Sequence, residues 1–230
     1  MLSVHTNYAS LVSQGAVNKS NSLLTNAMER LSTGLRINSS ADDAAGLQIA
    51  NRMNANIKGM QAASRNISDA TSMLQTADGA LEELTTIANR QKELATQAAN
   101  GVNSQDDSDA LDAEYQALIL EATRITGQTT YAGNNLFTAL STAGGVTFQI
   151  GASGTETLTT LIAAPATLTG DLKSTANART AMAAIDTNIK EVGTARSVLG
   201  ASINRLGHTA SNLASILENT QAAAGRIMDT

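Results

Sequence analysis

The stretch that decides the fold is residues 44–99, AAGLQIANRMNANIKGMQAASRNISDATSMLQTADGALEELTTIANRQKELATQAA. Through it Ile49, Met53, Ile57, Met60, Ala63, Ile67, Ala70, Leu74, Ala77, Leu81, Leu84 and Ala88 recur at spacings of three and four. A mean spacing of about 3.5 residues keeps one apolar stripe facing a partner helix over its whole length. The segment is therefore one long helix with a narrow seam, roughly 80 Å long at about 1.5 Å per residue. Such a seam must be covered by other long helices of the same chain. The expected fold is mainly α, a long antiparallel coiled-coil-like helical rod.

The partner is expected from about Ala176 to Met228, where Met182, Ile185, Ile189, Val192, Leu199, Ile203, Leu206, Ala210, Leu213 and Leu217 share a stripe. Arg196 falls between Val192 and Leu199 in that seam, so it must pair with a carboxylate or snorkel outward. Gly193, Gly200, Gly207 and Gly225 each cost about 1 kcal/mol relative to Ala in a helix interior. They are expected to mark close backbone approach to a neighbour.

Between the two long helices, NGVN (residues 100–103) ends the first in left-handed geometry. Ser104 with Asp107 opens a shorter helix by a capping-box pattern. Leu111, Tyr115, Leu118, Ala122 and Ile125 form its seam, and Gly127 stops it. From Leu140 to Ile162 the period changes to two: Val146, Phe148 and Ile150 alternate, GASG (151–154) turns the chain, and a β-hairpin is expected to pack on the helices. Residues 163–175, with the single proline Pro165, form a connector.

Ahead of the long helix a weaker seam runs from Val4 to Leu31 through Tyr8, Leu11, Val12, Leu24, Ala27 and Met28, interrupted by Gly15 and polar residues. Its low propensity predicts order only when a partner covers the stripe. STGLRINSSADD (32–43) then breaks the period, with Asp42 and Asp43 placed to cap the long helix and face its dipole. The expected division is 1–43 as an N-terminal arm and spoke, and 44–230 as a helical core domain with its hairpin at about 140–162.

Composition narrows the function. The 230 residues are 42% hydrophobic but 2% aromatic, which suits closely packed helices and not an aromatic-lined pocket. The net charge of -5 is spread without a basic stripe, which argues against nucleic-acid binding. With no cysteine there is no disulfide, thiolate nucleophile or cysteine metal site. The N-terminus has no basic-then-apolar leader, and no run of 18 apolar residues occurs, so export would need another route and membrane insertion is not indicated. His5 and His208 belong to no HExxH pattern, and GxSxG and phosphate-loop motifs are absent. Neither catalysis, a cofactor nor a metal is expected.

One surface stands out. Ile87, Arg90 and Leu94 lie beside the seam, placing two aliphatics around one cation outside the intramolecular stripe, the composition of an interface. Glu114 joins them if the third helix folds back antiparallel.

ERLSTGLRINSSADDAAGLQIANRM (29–53) resembles the N-terminal signature of bacterial flagellins, and NISDATSMLQTADGA (66–80), KELATQAA (92–99) and ITGQTTYAGNNL (125–136) support the match. The resemblance covers residues 1–160 and 176–230. It implies a flagellin core with the arm and spoke D0-like and the core domain D1-like. It further implies a structural filament subunit that self-assembles outside the cell after flagellar type III export and supports motility. The implied partners are other subunits, cap and hook-associated proteins, an export chaperone and innate immune receptors. Arg90, Leu94 and Glu114 match positions that flagellins present to the vertebrate Toll-like receptor, on a surface otherwise used between subunits. Residues 29–50 resemble the epitope sensed by plants, with Ser40 and Ala41 where Ala and Lys are usual, so weakened recognition is expected. No large variable outer domain is present, as in a minimal member. Similar flagellins continue past a segment like GRIMDT (225–230) into an amphipathic helix that pairs with the arm and binds the chaperone. A chain shortened there is expected to leave its arm unpaired. A hook-filament junction protein shares this arm and rod, but SADDAAGLQIA (40–50) favours flagellin. The signalling hairpin of a chemoreceptor is also long and heptad-patterned, yet it leaves the hairpin at 146–162 unexplained.

Overall fold

A computed structural model describes residues 7–229 of the chain. Val4 and His5 of the sequence reading lie outside them, as does Thr230. The order of elements is α1 (Tyr8–Thr33), α2 (Ala44–Ala98), α3 (Gln105–Gln128), β1 (Thr130–Tyr131), β2 (Asn134–Asn135), α4 (Leu136–Ser141), β3 (Val146–Gln149), β4 (Thr157–Thr160) and α5 (Thr175–Met228). The chain divides into two compact units, Met60–Ala214 and a second made of residues up to Gly59 with those from Ser215 onward. Helices α2 and α5 contribute to both.

In the unit Met60–Ala214 the periodicity becomes burial. Met60, Ala63, Ile67, Ala70, Leu74, Ala77, Leu81, Leu84 and Ala88 of α2 are all buried, as are Ala181, Ile185, Val192, Ala195, Leu199, Leu206 and Leu213 of α5. Arg196 meets Asp78 while Asp186 meets Lys92, so α5 runs antiparallel to α2. Helix α3 begins with Ser104 accepting from the Asp107 N–H while Asp107 accepts from the Ser104 N–H, the reciprocal cap expected from sequence. It folds back along α2, placing Glu114 on Arg90 and bringing Thr126 close to Leu84. Tyr115, Leu94, Ala95, Ala98, Leu172, Ala178 and Ile185 form the apolar cluster where the three helices and the connector converge.

The predicted hairpin is present within narrower bounds than 140–162, because Leu140 and Ser141 belong to α4: β3 and β4 pair antiparallel with Phe148 opposite Leu158 and Val146 opposite Thr160. It is fastened to the helices by Asn66 Nδ2, which donates to Gln149 O at 3.2 Å, and by Thr160 Oγ1, which donates to Ser202 Oγ at 3.3 Å. A smaller hairpin, β1–β2, turns through Ala132 and Gly133 at φ of 50° and 84°. Two-residue strands carry no readable alternation, and Ala is an uncommon choice for a left-handed turn position, so periodicity gave no sign of it.

In the other unit, Asp43 Oδ1 accepts from the Gly46 N–H at 2.8 Å and caps α2. Asp42 does something different: it accepts from the N–H groups of Asn38 and Ser39 and from the Ser39 hydroxyl, closing the preceding turn. Ile37 is buried so close to Gly46 that a Cβ there would lie 2.8 Å from its Cδ1. The turn is tied to the end of α5 by Arg36 N–H donating to Met228 O at 2.7 Å and Arg36 Nη2 to Ile227 O at 2.9 Å. Helix α1 is capped by Asn7 and ends at Gly34, whose φ is 72°. None of its residues is buried, and Tyr8, Leu11, Val12, Leu24, Met28 and Leu31 are all exposed.

Further expectations are corrected. Residues 100–103 end α2 without left-handed geometry, since positive φ among the described residues is confined to Gly34, Ala132, Gly133, Gly144, Gly145 and Gly170. Gly193, Gly200 and Gly207 do not mark close approach: a methyl at each would meet nothing within 4 Å. The inward line of α5 is Val192, Ala195, Leu199, Ser202 and Leu206, and these glycines follow it by one residue, turned about 100° away. For the same reason Ala195 fills the seam between Val192 and Leu199, and Arg196 sits at its edge. In α2, Ile49 is 38% exposed and Ala50 takes the inward place.

Candidate functional site

Arg90 and Glu114 come together as the sequence suggested. Arg90 Nε donates to Glu114 Oε1 at 2.8 Å and Nη2 approaches the same oxygen at 2.7 Å. Nη1 donates to Glu93 Oε2 at 3.0 Å, one turn along α2. The side chains of Arg90 and Glu114 are 45% and 47% exposed, so the trio forms a surface group held in one geometry. Glu114, and then Glu93, raise the Arg90 guanidinium above its ordinary pKa by hydrogen bonding to its charged form.

The two aliphatics are not on that surface. Leu94 is 1% exposed and belongs to the apolar cluster with Tyr115 and Leu172. Ile87 is half-buried and lines a narrow cavity of about 20 Å³ with Leu84, Gln91 and Ile119. The expected flanking pair instead packs beneath α3, because α3 and the connector widen the buried face of α2 beyond its two-helix seam. The exposed patch is accordingly polar: an arginine between two glutamates.

Sequence reasoning missed Glu93, although its place three residues beyond Arg90 is a readable ion-pair spacing. It also missed two buried polar residues. Asp112 lies on the line Ser108, Asp112 and Tyr115, where it accepts from the Leu172 N–H at 2.9 Å and from Gln116 Nε2 at 3.2 Å. Gln91 lies on the line Leu84, Ala88, Gln91 and Ala95, and its Nε2 finds no acceptor among the described residues. For Gln91, three residues past Ala88, a polar residue in a seam position was the available signal, whereas Asp112 lies off the seam read for α3.

His208 is exposed on α5. Among the described residues, no group of His, Asp and Glu is arranged to hold a metal, and no helix is long and apolar enough to cross a membrane. What the Arg90 group presents at the surface is one arginine paired with two glutamates.

Residues 4–142 match the bacterial flagellin N-terminal helical region and residues 182–230 the bacterial flagellin C-terminal helical region. The chain is 44% identical over 210 residues to a flagellin of Halalkalibacterium halodurans, an alignment covering 88% of this chain and 76% of that one. To a flagellin of Salmonella muenchen it is 48% identical over 155 residues, which are 67% of this chain but 30% of the longer protein. The crystal structure of Bacillus cereus flagellin superposes with a TM-score of 0.59 at 36% identity, covering 65% of this chain and 88% of that one.

Proposed function

This chain belongs to the bacterial flagellins, a family of structural subunits of the flagellar filament, and we propose that its α1 stripe is the surface through which copies join. The carrying observation is that 26-residue helix, whose Tyr8, Leu11, Val12, Leu24, Met28 and Leu31 are all exposed. A soluble monomer seldom keeps such a series of apolar side chains in water. Covering it with the same helix of neighbouring copies turns packing energy into a stiff lattice and makes the function mechanical.

In this reading the subunit leaves the cell through the flagellar type III apparatus and meets cap and hook-associated proteins at the filament ends. The test is incorporation into preformed flagellin seeds under salting-out conditions, followed by sedimentation and electron microscopy. The unaltered chain is expected in the pellet and the double variant Leu24→Asp, Met28→Asp in the supernatant. Equal pelleting of both removes α1 from the assembly surface.

The Arg90, Glu93 and Glu114 group supports a second role, recognition by a vertebrate Toll-like receptor. Arg90 and Glu114 supply its exposed charges, while Leu94 acts from beneath by holding α3 in place and Ile87 supports the rim. Arg90→Glu is expected to lower the response of receptor-expressing reporter cells. An unchanged response rules this role out.

A further inference from the structure

Asn100 is the one asparagine in the chain followed by glycine. It stands exposed just beyond the end of α2, and its backbone neighbour Gly101 is likewise exposed with open space around it. The Gly101 N–H finds no acceptor among the described residues. The nitrogens that follow Asn38, Asn103 and Asn135 are, by contrast, occupied. Ser39 N–H, after Asn38, donates to Asp42 Oδ2 at 2.9 Å. Ser104 N–H, after Asn103, donates to Asp107 Oδ2 at 3.0 Å, and Leu136 N–H, after Asn135, donates to Thr129 O at 2.9 Å. The comparable acidic pair, Asp78–Gly79, lies inside α2, where the glycine N–H is committed to the helix and the carboxylate is held by Arg196.

From this contrast we propose that Asn100–Gly101 is a site of spontaneous covalent modification, namely deamidation through a succinimide. The Gly101 nitrogen loses its proton to hydroxide and attacks Asn100 Cγ. A new N–C bond closes a five-membered ring. The Cγ–Nδ2 bond breaks, and the leaving nitrogen takes a proton from water to depart as ammonia. Water then adds to one of the two ring carbonyls and opens it, giving aspartate or isoaspartate. The sum is one water consumed and one ammonia released, with no oxidation or reduction.

The product matters where it forms. A carboxylate appears beside the last carbonyls of α2, at the negative end of the helix dipole, where an anion is unfavourable. In the isoaspartate form the main chain gains a methylene within the turn now closed by Asn103 Nδ2 on Gln97 O at 2.7 Å.

The experiment is to incubate the folded full chain at mildly alkaline pH, with peptide mapping by mass spectrometry and enzymatic methylation of isoaspartate. The peptide carrying Asn100 should gain the mass of an amide-to-acid conversion and split into two isomers before any other asparagine peptide changes. Asn100→Gln should lose that signal, and the Asp78 peptide should form no isoaspartate while the chain stays folded. Earlier conversion at another asparagine, or isoaspartate at Asp78 at an equal rate, overturns the proposal.

Discussion

Arg196 on α5 donates from Nε to Asp78 Oδ1 on α2 at 2.9 Å, and its Nη2 reaches toward Glu82 at 3.4 Å. The Arg196 and Asp78 side chains are each about one-third exposed, so solvent screens the attraction. Arg196→Met, which keeps the stem and removes the charge, is expected to lower stability by about 0.5–1 kcal/mol in chemical denaturation. Raising the salt concentration should shrink the difference. A loss unaffected by salt would assign the role to packing of the stem.

Asp112 is buried, and its carboxylate accepts from the Leu172 N–H at the end of the connector. Removing it strands that N–H. Asp112→Ala is therefore expected to cost about 1–3 kcal/mol, with Asp112→Asn losing less because the amide oxygen still accepts. Equal losses in denaturant titrations would show that charge, and not the acceptor, is what Leu172 requires.

Tyr115 is fully buried, and its hydroxyl finds no partner among the described residues. Tyr115→Phe is expected to leave stability unchanged or raise it by up to about 1 kcal/mol, whereas Tyr115→Ala should lose about 3–5 kcal/mol through the cavity it opens. Thermal unfolding separates the two. Burial, and then the nearby Asp112, push the Tyr115 phenol above its ordinary pKa. Because the unfolded chain ionises first, this contribution is present below about pH 10 and is lost as pH rises beyond it.

Two exposed carboxylates should be visible in acid. Asp42 is held below the usual aspartate range by hydrogen bonds from the Ser39 N–H, the Ser39 hydroxyl and the Asn38 N–H. Asp107 is held down chiefly by the Ser104 hydroxyl and then its N–H. Both folded values lie below the unfolded ones, so their contribution is complete above about pH 4 and disappears as pH falls through the folded values. A carboxyl-carbon NMR titration should find Asp42 and Asp107 protonating at lower pH in the folded chain than in the urea-unfolded chain. Ser104→Ala should move Asp107 upward. No movement would show that the cap does not set its ionisation.

Repeating features were legible in the sequence because they depend on a period. Nine successive seam residues from Met60 to Ala88 are buried as their spacing required, and the alternation at Val146 and Phe148 marked a real strand. The meeting of Arg90 with Glu114 was legible too, since a short connection returns α3 along α2. The environment of Leu94 was not. Its position is off the seam of a two-helix pairing, and it becomes interior because α3 and the connector cover a second face of α2. The outward direction of Gly193, Gly200 and Gly207 was hidden likewise: heptad spacing fixes that residues share a face but not which face it is.

The route of the chain also sets an order of events. Arg90 and Glu114 are 24 residues apart, while Arg196 and Asp78 are 118 apart. Closing the longer loop costs about 1.4 kcal/mol more in chain entropy, before any contact across it exists. Nucleation therefore belongs to the α2–α3 pair, and α5 docks afterwards onto a surface already formed. In refolding kinetics Leu111→Ala should slow folding, whereas Leu199→Ala should chiefly speed unfolding. The late-docking helix carries Gly193, Gly200 and Gly207, so the weakening those residues bring to an isolated helix is met by a template already waiting.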